Sequence, residues 1–122
     1  MAKTILVADD EPRIVQLVDS MLSRAGYRVV SAANGREALE RVAEAKPDLI
    51  LLDILMPEID GTVVAQTLRE QEDTSAIPVV FLTSLVDGTE VEREGPEIGG
   101  HLFLAKPFKF EELLSVIKHA LG

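Results

Sequence analysis

Five short apolar runs recur along the chain at nearly even intervals: "TILVA" (4–8), "YRVVSA" (27–32), "DLILL" (48–52), "IPVVFL" (77–82) and "HLFLA" (101–105). They are rich in β-branched residues, and several are apolar at consecutive positions where a half-wet strand would alternate. Strands of that kind are buried on both faces, so helices must cover a parallel sheet above and below. Parallel neighbours need right-handed crossovers, and the intervening stretches are long enough to supply them. The pattern therefore predicts an α/β fold, a doubly wound parallel sheet with helices on both faces. At 122 residues the chain is long enough for one domain with a real core and too short for two, so 1–122 reads as a single domain.

The crossovers carry helical spacing. In the first, Ile14, Leu17, Met21, Leu22 and Ala25 are expected on one inward face, with Pro12 in the first turn and Gly26 ending the helix. The second opens on Asn34 as N-cap with Glu37 three residues on, turns Ala38, Leu39 and Val42 inward, and stops at Lys46-Pro47. The third starts from Asp60 with Val64 and Leu68 as anchors. The last places Phe110, Leu113, Leu114, Ile117 and Leu121 inward, with Glu111 and Glu112 in its first turn and Lys118 and His119 in its last, an order that suits the helix dipole. The stretch 86–100 differs: four glycines and a proline predict an irregular fourth helix, around Thr89 to Glu94. Its acidic residues Glu90, Glu92 and Glu94 read as a solvated face, and His101 and His119 as solvent-facing.

Composition excludes whole classes of chemistry. With no cysteine there is no disulfide frame, thiolate metal site or cysteine nucleophile. A net charge of −9 opposes direct contact with nucleic acid. No apolar run approaches the roughly 18 residues of a membrane span, and no signal peptide is visible. The expectation is a soluble, cytoplasmic protein.

The residues that end the strands carry the chemistry. Strand one ends in Asp9 and Asp10, strand three in Asp53, strand four in Thr83 and strand five in Lys106-Pro107. In an open parallel sheet all these ends meet at one edge, where ligands bind. Three carboxylates gathered within about 5 Å would repel by roughly 3 kcal/mol per pair at an effective dielectric near 20. A divalent cation removes that cost, and all-oxygen ligands favour Mg²⁺ or Mn²⁺. Such a carboxylate, beside a cation, a lysine and a hydroxyl, is equipped to accept a phosphoryl group. Taken singly the residues have plainer readings: Asp9 or Asp10 as a helix cap, Asp53 as a turn residue, Thr83 as a strand-end hydroxyl and Lys106 as a surface lysine.

The segments "LVADDEP" (6–12), "PDLILLDILMPEIDG" (47–61), "VVFLTS" (79–84) and "LAKPF" (104–108) resemble, in order and spacing, the receiver domain of two-component response regulators, close to its stand-alone chemotaxis type. The resemblance covers essentially the whole chain and implies a flavodoxin-like sheet with strand order 2-1-3-4-5. It implies Asp53 as phosphoacceptor; Asp9, Asp10, Asp53 and the Leu55 backbone carbonyl as ligands of Mg²⁺; and Thr83 and Lys106 as the hydroxyl and ammonium that meet the phosphoryl group. Phe103 is implied as the aromatic switch, and the Lys106–Pro107 bond as cis. The implied partners are a sensor histidine kinase or histidine phosphotransfer protein as donor and an output partner, with scope for a phosphorylation-dependent dimer. Leu55 and Leu85, two residues after Asp53 and Thr83, cannot orient a water, so slow loss of the phosphoryl group is expected.

Competing classes are a Mg²⁺-dependent aspartyl-phosphate phosphohydrolase, which would want a second acid where Leu55 stands, and a flavin carrier, whose phosphate "DDEPR" would repel. A degenerate receiver acting as a phosphorylation-independent interaction module has no need of the full polar set.

Overall fold

The computed structural model describes residues 2–84, 97–98 and 101–122. The chain alternates β1 (Thr4–Ala8), α1 (Pro12–Arg24), β2 (Arg28–Ala32), α2 (Gly35–Ala45), β3 (Leu49–Asp53), α3 (Gly61–Glu70) and β4 (Val79–Thr83). It continues through β5 (Glu97–Ile98) and β6 (His101–Ala105) to α4 (Phe110–Leu121). The sheet order is β2-β1-β3-β4-β6-β5. Five strands, β2-β1-β3-β4-β6, run parallel, which is the expected order 2-1-3-4-5 with β6 as the fifth parallel strand. The two-residue β5, antiparallel on the outer edge of β6, is an addition to the expected sheet. The irregular helix expected around Thr89 to Glu94, with Leu85 and the acidic cluster, lies outside the described residues.

Alternation along the central strands feeds two cores. Ile5, Val7, Leu49, Leu51, Val80, Leu82 and Leu104 face Val18 and Leu22 of α1 and Leu113, Val116 and Ile117 of α4. Leu6, Ala8, Ile50, Leu52 and Phe81 face Ala38 and Val42 of α2 and Val64 and Leu68 of α3. Every residue of β3 is buried, as its unbroken apolar run requires.

Two helix faces follow expectation in most of their residues and depart from it at a few: Ile14, Met21 and Leu22 of α1 and Leu113, Leu114, Ile117 and Leu121 of α4 lie in or against the core. In α1 the buried residues are Val18 and Leu22, while Leu17 is 43% exposed and Ala25 lies at the surface. In α4 Val116 is buried and Phe110 is 37% exposed. Each helix is centred on Val18 and Leu22 or on Leu113, Val116 and Ile117, and the residues at the margin of its apolar face, Leu17 and Phe110, are left at the surface. The α2 cap is as expected: Asn34 Oδ1 accepts from the Glu37 N–H at 2.8 Å, and Glu37 accepts from the Ala33 N–H. Asp60 occupies the N-cap position of α3 without a side-chain capping bond. Glu112 closes the start of α4 by accepting from the Lys109 N–H at 2.7 Å. His119 is exposed.

Candidate functional site

Strand register assembles the site. Ala8 is level with Leu52 on the neighbouring strand, so Asp9 and Asp53 emerge side by side at the carboxyl edge. Asp53 is level with Leu82, and Thr83 follows. Thr83 is level with Ala105, and the next residue, Lys106, donates its backbone N–H to the Thr83 carbonyl at 2.9 Å. The Lys106–Pro107 peptide bond is cis. Parallel strands lie about 4.8 Å apart, so residues scattered over the sequence from 9 to 106 share one edge.

Asp9 is 1% exposed, Asp53 6% and Thr83 2%, whereas Asp10 is exposed. One carboxylate oxygen from each of Asp9, Asp10 and Asp53 lies within 4.8 Å of the others. The Lys106 Nζ donates to Asp9 Oδ2 at 2.8 Å and stands 3.6 Å from Asp53 Oδ1 and 3.9 Å from Glu11 Oε1. Asp9 Oδ1 accepts from the Glu11 N–H at 2.9 Å, so this aspartate also tethers the turn into α1. Its cap-like role and its place in the carboxylate group coexist, because the two oxygens do different work.

The electrostatics follow from crowding. Burial, then the neighbouring Asp9 charge, push the Asp53 carboxyl up to about 6; Lys106 pulls it back, and the Asp10 carboxyl raises it further by hydrogen bond and charge. Burial alone would lower the Lys106 ammonium. The hydrogen bond to Asp9 and the charges of Asp9, Asp53 and Glu11 outweigh it, so Lys106 is held above the usual lysine range. One ammonium therefore faces two carboxylates of the site, Asp9 and Asp53, and Glu11. The three converging oxygens form a hard donor set with the chemistry of a Mg²⁺ site, and Asp9, Asp10 and Asp53 are the residues that fit one.

Asp9, Asp10, Asp53 and Lys106 are thus brought together, with Thr83 next to them through the Lys106 backbone. Leu55, in the loop after β3, has a side chain 57% exposed. Phe103 lies further along β6, its ring 5.5 Å from that of Phe81 and tilted 34°. It borders a cavity of about 240 Å³ lined also by Ile54, Ala65, Thr62, Gln66 and Arg69. Sequence reasoning did not single out Glu11, although it stands in the "DDEP" segment. It also passed over Gly35, for which the sequence carries no signal.

The fold and site define a doubly wound α/β domain with an acidic cluster, paired with one lysine, at its topological switch point. The chain belongs to the response regulator receiver domain family, whose pattern it matches over residues 5–118. It is 39% identical over 122 residues to the alkaline phosphatase synthesis transcriptional regulatory protein PhoP of Bacillus subtilis, covering 99% of this chain and 49% of that protein. The chain spans about half the length of the curated relatives it matches. Among solved structures, chemotaxis protein CheY4 of Vibrio cholerae is 34% identical with a TM-score of 0.85, covering 99% of this chain and 100% of that one. The receiver domain of sensor histidine kinase PA1611 from Pseudomonas aeruginosa, with a magnesium ion coordinated in its active site cleft, is 30% identical with a TM-score of 0.85, covering 100% of this chain and 99% of that one. No helix among the described residues is long and apolar enough to cross a membrane.

Proposed function

We propose that residues 1–122 form one receiver domain that accepts a phosphoryl group on Asp53 and so works as a signalling switch, not as a turnover enzyme. The observation that carries this reading is the convergence of Asp9, Asp10 and Asp53 within 4.8 Å under a single lysine. Such a group is costly on its own and useful beside a cation and a phosphoryl group. In the reaction, an Asp53 carboxylate oxygen forms a bond to phosphorus as the bond from phosphorus to the donor's imidazole nitrogen breaks. The leaving imidazole takes a proton from solvent.

Asp9, Asp10, Asp53 and the Leu55 carbonyl are the groups proposed to hold Mg²⁺, or Mn²⁺ in its place. When bound, the cation supplies neutralisation of charge on the phosphoryl oxygens. Lys106 supplies a second positive charge, and the Thr83 hydroxyl a hydrogen-bond donor. Because Lys106 and Thr83 share a backbone hydrogen bond, a shift of the Thr83 hydroxyl toward the phosphoryl group is coupled to the β4–β6 edge. The cavity beside Phe103 gives that ring room to turn. The surface around β4 and β6 then changes its affinity for an output partner, a population shift driven by added charge. The donor is a sensor histidine kinase or a histidine phosphotransfer protein.

The test is exposure to acetyl phosphate or beryllofluoride with Mg²⁺. A single added phosphoryl group by intact mass, absent in Asp53→Asn, and shifted Thr83 and Phe103 resonances with beryllofluoride support the reading. An unchanged mass together with unchanged resonances points instead to a phosphorylation-independent interaction module, and repeated hydrolysis of a phosphate ester to a phosphohydrolase.

A further inference from the structure

The loop 54–60 joins Asp53 to α3 and carries the Leu55 carbonyl. It is closed in by two glycines. Gly61, at its end, lies so near Asp53 that a Cβ there would collide with the Asp53 carbonyl oxygen, and its N–H donates to the Ile54 carbonyl at 2.8 Å. The second glycine comes from a helix that contributes no side chain to the site. Gly35, the buried first residue of α2, meets the loop from the side. A Cβ on Gly35 would stand 2.6 Å from the Ile59 carbonyl oxygen, 2.8 Å from Ile59 Cβ and 3.1 Å from Val64 Cγ2.

We infer that Gly35 is a positioning residue: its missing side chain lets the loop 54–60 sit against α2, and so sets where the Leu55 carbonyl stands relative to Asp9, Asp10 and Asp53. This inference rests on the proposed cation-assisted function of that site. Ordinary contact begins at 3.4 Å, so a methyl on Gly35 forces one partner back by several tenths of an ångström. The partner that gives way is the loop. α2 is held along its length by Ala38 and Val42 in the core and by the Asn34–Glu37 cap, whereas the loop is anchored in that core by Met56 and at its flank by Ile59, and Leu55, Pro57 and Glu58 are exposed and free to follow a shift. Gly26 does not have this role: at φ 94, it has open space within 4 Å of where a methyl would stand and touches no part of the site.

The experiment compares Gly35→Ala with the wild type and with Gly26→Ala, which strains the backbone far from the loop. Mg²⁺ affinity is measured by calorimetry, phosphorylation by acetyl phosphate across a Mg²⁺ series, and the Leu55 amide resonance in cation-free protein. Gly35→Ala is expected to weaken Mg²⁺ binding roughly tenfold, the scale of losing a group that orients a ligand. Its phosphorylation rate at saturating Mg²⁺ should stay within about twofold of wild type, and its Leu55 amide should shift. Gly26→Ala should lose stability and keep its Mg²⁺ affinity. Ile59→Gly, which removes the Cβ that stands against Gly35 without adding an atom, is the second variant and should also weaken Mg²⁺ binding.

Wild-type Mg²⁺ affinity in a folded Gly35→Ala, or in a folded Ile59→Gly, overturns the inference and leaves the proposed function standing. So does a loss that Gly26→Ala reproduces in proportion to its stability. A wild type that binds no Mg²⁺ overturns the proposed function, and the inference with it.

Discussion

Lys106 and Asp9, 97 residues apart in sequence, are joined by a 2.8 Å hydrogen-bonded ion pair in which the Asp9 side chain is fully buried and that of Lys106 is 13% exposed. Asp53 lies within 3.6 Å of the same ammonium. The lysine is therefore the only positive charge seen against the carboxylate cluster among the described residues, and removing it leaves like charges facing one another.

Lys106→Met should lower the stability of cation-free protein at pH 7 by about 3 kcal/mol, the low end of what stranding one partner of a buried pair costs, because the lysine is partly exposed. The same change should tighten Mg²⁺ binding, because a competing cation is gone, while slowing phosphorylation of Asp53. Urea unfolding with and without Mg²⁺, and calorimetric titration, check the two halves. Weaker Mg²⁺ binding in the variant would contradict this electrostatic account.

Asp53 gives the cation-free protein a defined pH dependence. Its folded-state value of about 6 lies above the unfolded value of 3.8, so between these values the folded state keeps a proton that the unfolded state has lost. This contribution to stability is greatest at low pH and falls as pH rises from about 4 to 6. Asp53→Asn should remove that slope and raise stability at pH 7 by up to about 3 kcal/mol. Denaturation series at pH 4 to 8 in a chelator, wild type against variant, measure the difference; parallel curves would count against it.

Glu58 adopts φ 71, a left-handed conformation that costs a residue with a Cβ about 1–2 kcal/mol. Glu58→Gly should relieve this at some entropic cost and raise stability by about 1 kcal/mol. A thermal or urea midpoint that falls in this variant would show that the glutamate side chain holds the loop.

Leu55 presents an exposed apolar side chain two residues after Asp53. It cannot orient a water toward an acyl phosphate, so Leu55→Gln should shorten the lifetime of the phosphoryl group by roughly tenfold. Decay of the phosphorylated species by intact mass or phosphate release reads this directly, and an unchanged lifetime would remove Leu55 from the control of hydrolysis.

The sheet was legible because parallel strands buried on both faces need unbroken apolar runs, and "DLILL" or "TILVA" suit little else in a chain this short. The strand-end residues were legible for a related reason: once strands are parallel, every residue after a run lies on the same edge. Helix faces were less legible. Ile14, Val15, Leu17, Val18, Met21 and Leu22 form one broad apolar face, and the choice that buries Val18 and exposes Leu17 depends on the surface α1 meets.

By itself the sequence determined the order and buried character of the strands and the identity of Asp9, Asp10, Asp53, Thr83 and Lys106 as a set, because period and spacing are local properties of the chain. Tertiary structure alone decided that Lys106 leans on Asp9 more closely than on Asp53, that Glu11 is within its reach, and that Gly35 abuts Ile59. Those relations join segments far apart in sequence, and they depend on strand register and helix height to within an ångström, which no local pattern encodes.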